Sequence, residues 1–407
     1  MALAGAAALL VAARAGAQSP PAAPPAPAVA PAPAPAPPAL RLTAPPLRAA
    51  GIAIPLLASG AAPGAQMELQ RLLGGRAWVT LKTTPAGADG TARLRYDPVK
   101  PSRSLRYRLR IAVAGVASAA ISVQTRPITL AAFGDANFGD GVGSVMDARG
   151  ALWPWRGVAP TLRRADIAFG NLECAISNRG VAVPKEFNFR GRPERLRQVV
   201  RFAGLDVLNL ANNHAGDYGA AALVDTVANV RRSGALALGA GATPAAARRP
   251  QVVSRLGLRV GFVGFSDIGP TSFAVAPGHP GTSFASPAAI AAGVRAARRV
   301  SDVVIVSFHW GVERSPRENG RQRQFARAAL AAGATAVIAA HPHVLQPVRR
   351  LGRRLIAYSL GNFVWSAGGG ASSRSAILRV SLSGRGVEGA RLLPAVIEAT
   401  RPRLLAR

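Results

Sequence analysis

From residue 127 onward, short continuous apolar runs alternate with stretches whose apolar residues recur every three or four positions. The runs "ITLAAFG", "ADIAFG", "DVLNLA", "RVGFVGF", "DVVIVSF", "TAVIAA" and "LIAYSL" predict strands buried on both faces. Between them, "PERLRQVVRFAG", "GAAALVDTVANVRRSG", "SPAAIAAGVRAARRV" and "RQRQFARAALAAG" carry helical spacing with a polar opposite face. In the third, Ser286 and Pro287 suit the N-cap and the first helical position. This alternation predicts an α/β domain over 127–400 whose sheet is covered by helices on both faces.

The pattern is different before residue 127. "AWVTLKTTP", "GTARLRYDP", "SLRYRLRIAV" and "ASAAISVQT" alternate in part and are broken by Gly, Pro and Asp. Over 42–126 they predict a small β-sandwich, similar to immunoglobulin-like or fibronectin-like modules, with a spacing or adhesive role. Residues 18–41 are a Pro/Ala spacer, too poor in large apolar residues to build a core. Ahead of it, an apolar stretch from Ala2 to Ala13 and the small residues Ala15, Gly16 and Ala17 fit an export signal over 1–17, although a basic start is missing. No later segment has the length and apolarity of a membrane span. These features predict an exported protein, extracellular or periplasmic, working near the cell envelope.

The formal charge of +31 invites a polyanionic partner. Lysine occurs only at Lys82, Lys100 and Lys185, so the charge is arginine scattered along the chain. No RNA- or DNA-binding signature accompanies it. An acidic or phosphate-bearing partner is therefore favoured over nucleic acid. The single cysteine, Cys174, excludes an intramolecular disulfide and a thiolate metal cluster, and reads as a small buried thiol.

The strand ends carry the chemistry. "ITLAAFG" runs into Asp135, "ADIAFG" into Asn171 and Glu173, "DVLNLA" into Asn212, Asn213 and His214, "DVVIVSF" into His309, and "TAVIAA" into His341 and His343. In α/β sheets the loops beyond the carboxyl ends of strands converge on one crevice. At a strand-to-loop turn the imidazoles of His341 and His343 can both reach one metal. A pair of solvated loop histidines is the competing reading. Carboxylate, imidazole and amide donors without thiolate suit Mn, Zn or Fe. Two acids, an amide and three histidines exceed one tetrahedral zinc. They fit two metals about 3.5–4 Å apart with a bridging carboxylate, as used in phosphoester hydrolysis.

"GDANFGDG", "ADIAFGNLECAIS", "LNLANNHAGDYG", "VIVSFHWGVE", "AVIAAHPHVLQPV" and "IAYSLGNFVW" together resemble the CapA family of poly-γ-glutamate capsule-synthesis proteins, over residues 128–398. The resemblance implies a calcineurin-like metallophosphoesterase fold, an α/β sandwich. It implies Asp135 and His343 on one metal, Asn213, His309 and His341 on the other, and Glu173 bridging. His214 would be the general acid or transition-state stabiliser. One departure stands out: Asn137 occupies the position where metallophosphoesterases carry histidine, which weakens the first metal site. Thr335 and Ala340 stand where the family usually has Asp and Gly.

Other polar residues near these motifs have two readings each. Asp217 suits a helix cap before "YGAAALVDTV", or a place beside the ligands. Asn171 and Asn137 flank the metal set, Asn362 can fix a turn or adjoin the site, and Glu313 can support the ligands or face solvent. Lys185 and Arg190 lie in the loop after Glu173 and could receive an anionic substrate, or be solvated. The leading function is a dinuclear-metal hydrolase for capsule polymer synthesis or export. The alternative is a non-catalytic accessory subunit that binds a polyanion, polyglutamate or a phosphate-bearing envelope polymer, within a membrane synthase complex. His214 beside Asn213 favours the enzyme, because binding alone has little need of a proton donor. A nuclease has only the fold and the charge behind it.

Overall fold

The computed structural model describes residues 38–98 and 104–405. The expected export signal and nearly all of the spacer lie outside the described residues.

Two stacked sheets form the centre of residues 127–405. The first has eight strands. Leu236–Leu238, Val207–Asn209, Ile167–Leu172 and Ile128–Ala136 run parallel, and Arg374–Ser383, Gly386–Glu398 and Arg401–Leu404 continue the sheet antiparallel. The second has six, with Leu258–Ser266, Val303–His309, Ala336–Ala340 and Arg354–Ala357 parallel at its centre. Between the sheets lies a core that includes Leu130, Phe169, Val207, Val260, Phe262, Ile305 and Ile338. Phe169 and Phe262 meet across it with ring centroids 5.5 Å apart. Burial of each such ring contributes about 2–3 kcal/mol. Helices Pro193–Ala203 and Gly219–Ser233 cover the outer face of the first sheet through Leu196, Val200, Leu223 and Val230. Helices Pro287–Val300 and Gly320–Ala331 cover the second through Ile290, Val294, Phe325 and Ala329.

This is a mixed α/β fold, but it corrects the expectation of one sheet flanked by helices. Each sheet has helices on one face and the other sheet on the opposite face. Both environments are apolar, so a continuous apolar run looks the same in either. The four predicted helices are present with their ends set as local chemistry requires. Ser286 accepts a hydrogen bond from the Ala289 N–H at 3.1 Å, and Pro287 opens the helix. Pro193 opens the first helix, and Gly204 closes it at φ 67° with its N–H on Val200 O.

Before residue 127 the strands form two sheets. One holds Arg41–Thr43, Ile54–Ser59 and Ala92–Tyr96; the other is ordered around Gln66–Leu73, Leu105–Val113 and Ile121–Arg126. Leu56, Met67, Leu69, Leu94, Leu109, Ile111 and Val123 fill one core between them. Only Pro127 separates the strand Ile121–Arg126 from Ile128–Ala136. Among the described residues, no helix is long and apolar enough to cross a membrane.

Candidate metal centre

Asp135 and His309 sit in the ends of two parallel strands, one from each sheet, and His341 and His343 follow the end of a third. A bulge in the first strand between Phe133 and Asp135 turns the end of that strand. It occurs at Gly134, where an added Cβ would lie 1.8 Å from the carbonyl oxygen of Gly361. The Asp135 N–H donates to that same oxygen at 2.9 Å. After Ala340 the chain leaves its strand through unusual backbone, with φ 101° at His341 and 57° at His343. Asp140 and Arg314, at the rim, also have positive φ. Half of the eight non-glycine residues with positive φ among those described thus lie at this one site, a concentration expected where function holds the backbone in place.

The six residues expected as ligands come together. Glu173, His309 and His341 present donor atoms within 4.8 Å of one another, and so do Asp135, Glu173 and His343. Glu173 is common to both sets. The Nε2 of His309 lies 2.7 Å from Asn213 Oδ1 and 3.1 Å from His341 Nδ1. The Nδ1 of His343 lies 3.3 Å from Asp135 Oδ2 and 2.9 Å from Asn362 Oδ1. Asn171 donates to Asp135 Oδ1 at 2.8 Å and is itself held by Asn209, which donates to its carbonyl oxygen at 2.9 Å.

Glu173 is fully buried, and neither of its carboxylate oxygens makes a hydrogen bond. Nε2 of His309 approaches Oε1 at 3.2 Å without hydrogen-bond geometry. A buried acid without donors costs several kcal/mol if ionised, so it takes up a proton or meets a cation. Burial, and then the charge of Asp135, push its carboxyl well above the usual range. Burial and the neighbouring His341 push His309 well down, while burial and His343 bring His341 down to about 4. Burial would raise Asp135, but the hydrogen bond and charge of His343 outweigh it and hold this carboxyl low. Burial would lower His343, but the hydrogen bond and charge of Asp135 outweigh it and raise this imidazole. A divalent cation requires neutral imidazoles and ionised carboxylates, so one bound here would displace the protons that Glu173 and His343 hold. These residues could hold a metal.

His214 borders the cleft that opens over this cluster, about 300 Å³ in volume and walled by Phe189, Trp365, Asn137 and Glu313. Its Nδ1 lies 2.7 Å from Asp217 Oδ2, and its ring stacks on Phe189 at 4.3 Å. Asp217 is not a helix cap. Tyr218 occupies the N-cap of Gly219–Ser233, while Asp217 is fully buried, facing His214, Lys185 and the Phe189 N–H.

Two other expectations are corrected. Lys185 does not reach out for substrate, because its ammonium is tied to Asp217 Oδ1 at 2.6 Å and to Asn213 O at 2.7 Å. Arg190 stacks on Tyr218, 3.7 Å from the ring centroid, and does not line the cleft. Asn137 uses its carbonyl oxygen to accept from the Gly139 N–H at 2.8 Å, so it shapes the turn at the cleft floor. Glu313 is exposed at the rim, and its carboxylate lies within 4.8 Å of donor atoms of His341 and His343. The aromatic walls escaped the sequence reading. Phe189 lies in the loop after Glu173 and Trp365 ends "IAYSLGNFVW", but a lone aromatic residue in a loop reads as ordinary packing.

A profile of the family described as bacterial capsule synthesis protein PGA_cap matches residues 129–367, more than half of the chain. The chain belongs to this family. The PGA_cap segment contains every residue of the cluster and of the His214 dyad, and excludes the strands before residue 127. Similar proteins include the PGA biosynthesis protein CapA of Bacillus subtilis (strain 168), 32% identical over 272 residues, 66% of this chain and 71% of that protein. The capsule biosynthesis protein CapA of Bacillus anthracis is 28% identical over 288 residues, 69% of this chain and 70% of that one. A probable polyglutamine synthesis accessory protein of Mycobacterium tuberculosis is 31% identical over 226 residues, covering 52% and 59%.

Proposed function

We propose that this protein is a metal-dependent hydrolase of the metallophosphoesterase type, exported to the cell envelope, where it serves the synthesis or export of a poly-γ-glutamate-like capsule polymer. The observation that carries this reading is Glu173: a fully buried carboxylate with both oxygens free of hydrogen bonds, shared by two ligand sets. Asp135, His343 and Glu173 would hold one divalent ion. Asn213, His309, His341 and Glu173 would hold a second, with Mn, Zn or Fe suited to these oxygen and nitrogen donors. When bound, such ions polarise the scissile group and lower the pKa of water.

The rest of the chemistry belongs to side chains. Asp217 accepts from the Nδ1–H of His214 and thereby orients the ring, so that the imidazolium form can donate its Nε2 proton to the leaving group. Phe189 fixes the plane of that imidazole by stacking. Trp365 does the same for His343, with centroids 4.7 Å apart. Asn171 and Asn209 form a buried amide relay that holds Asp135. The strands before residue 127 make an immunoglobulin-like or fibronectin-like module that spaces the catalytic domain from its anchor or partner. An accessory, non-catalytic role is the second reading. It is favoured by Asn137, which stands where an imidazole ligand would complete the first site.

The test pairs metal content with turnover on model phosphodiesters and γ-linked glutamate polymers. His341→Ala and Glu173→Ala each remove a donor with no local substitute and should empty the site by elemental analysis. His214→Ala should keep its metal and lose about 10²–10⁴-fold in turnover, the range of a positioned acid. Wild-type protein that stays metal-free after Mn, Zn and Fe supplementation would sink the metal reading. Full capsule complementation by His214→Ala would replace catalysis with the accessory role.

A further inference from the structure

The metal cluster lies at the carboxyl ends of the parallel strands. At their amino ends are two adjoining clefts of about 600 and 230 Å³, which share Arg298, Asp302 and Gly384. Val303–His309 runs from one region to the other, so seven strand residues, roughly 20 Å, separate them. The larger cleft is built by both parts of the chain: Arg48 and Ile52 come from the segment before residue 127, Arg259 and Arg298 from the α/β domain. Arg354 and Arg385 line the smaller one.

Most of this positive charge is uncompensated. Three of the seven arginines lining the clefts are paired: Arg95 with Asp97 at 4.0 Å, Arg259 with Asp302 at 2.8 Å, and Arg353 with Glu388. Among the described residues, Arg48, Arg298, Arg354 and Arg385 have no carboxylate within ion-pair distance. Arg48 lies flat against Gly257, where a Cβ would come within 1.9 Å of its guanidinium. Gly257 and Leu256 both have positive φ, 79° and 50°, as a tight two-residue hairpin turn requires. The Nε of Arg48 is buried and has no hydrogen-bond partner. Its Nη2 donates to the Ala53 carbonyl at 3.3 Å, so this guanidinium offers the cleft its positive charge and the Nη1 donors.

We propose that these two clefts form one anion-binding trench that holds a stretch of an extended polycarboxylate chain, apart from the metal centre. Two clefts in line suit a polymer better than a single small anion. Single-stranded nucleic acids are bound on aromatic platforms, and no aromatic ring lines either cleft among the described residues. The carboxylate identity of the polymer rests on the capsule-polymer reading above; the trench itself does not. The trench retains polymer on the molecule while the metal cleft acts on it or passes it on.

The test uses the full chain and labelled oligomers of γ-linked glutamate, followed by fluorescence anisotropy across a salt series. Arg298→Ala combined with Arg385→Ala should weaken binding about tenfold or more and flatten its salt dependence, because each loses a charge-assisted contact. The same double variant should hydrolyse small model phosphodiesters at the wild-type rate. Arg106→Ala with Arg108→Ala, at exposed positions of a strand elsewhere, is the control and should change binding less than about twofold. His341→Ala should bind the oligomer normally, so loss of the metal reading and loss of the trench give different results. Equal weakening by the control pair would overturn the proposal in favour of diffuse attraction to a basic surface. Tighter binding of polyphosphate or of single-stranded DNA, undisplaced by the glutamate oligomer, would overturn the polycarboxylate assignment.

Discussion

At the scale of single residues, the buried acids and imidazoles of the cluster hold protons differently from the unfolded chain, and their count predicts the pH response of the protein without metal. Burial holds His309, His341 and His214 below the 6.5 of a free imidazole, while burial and Asp135 hold Glu173 above 4.5. Below pH 6.5 the unfolded chain binds more protons on these three imidazoles than the folded chain does. Against this, the folded chain keeps one proton on Glu173 that the unfolded chain releases. The unfolded state binds more protons overall, so stability rises with pH across this window, by about 1.4 kcal/mol per pH unit for each net proton. Above 6.5 those three differences fade, while Glu173 and His343, both raised in the folded chain, hold protons that the unfolded chain releases, so the sign reverses. Denaturant midpoints of chelator-treated protein should therefore peak near pH 6.5. A midpoint that climbs steadily into the alkaline range would mean that Glu173 is ionised in the folded state. Added Mn or Zn should remove the alkaline decline, because the cation takes the place of those protons.

At the scale of elements, what the sequence made legible depended on how local the signal was. The four long helices were readable because caps and spacing are local: Ser286 with Pro287 at one start, Gly204 at one end. The strand ends were readable because the donor residues follow apolar runs directly. The division into two sheets was not, since Phe169 and Phe262 look alike in sequence whether they face a helix or another sheet. Nor was the hairpin of Arg374–Ser383 and Gly386–Glu398, where Arg374, Arg379 and Arg391 interrupt the apolar runs. The partnership of Asp217 with His214 was hidden by its position one residue before a helix cap. The bulge at Gly134 was equally silent, yet it shapes the end of the strand that carries Asp135. There, Gly134→Ala would drive a methyl group into the Gly361 carbonyl, a backbone atom that no side-chain rotation can relieve. The expected cost is about 3 kcal/mol, with metal content falling alongside the melting temperature. Unchanged metal content in a destabilised Gly134→Ala protein would separate the bulge from the site.

At the scale of the whole molecule, the two parts of the chain meet through backbone as well as side chains. Ala49 and Ala50 are fully buried, and Ala49 belongs to the core between the two α/β sheets. The Ala49 N–H donates to Leu256 O at 2.8 Å, and the Gly384 N–H donates to Ala50 O at 2.9 Å. Arg126 forks onto both oxygens of Asp166 at 2.7 Å, and Asp166 also accepts from the Thr129 N–H. A chain beginning at residue 127 loses two interface hydrogen bonds, a half-buried ion pair and the cover over Ile128 and Leu258. Hydrogen bonds of this kind contribute about 1 kcal/mol each, and an ion pair open to solvent less. The truncated chain should keep its four layers and its metal, turn over small substrates normally, and melt several degrees lower, at about 2 °C per kcal/mol for its size. It should also lose polymer binding in the trench, since Arg48 departs with the removed segment. Calorimetry, elemental analysis and anisotropy on one preparation separate these effects. If the truncated chain failed to fold even with metal present, residues 38–126 would be part of the α/β domain's own core, and the boundary at 127 would mark only a change of pattern in the sequence.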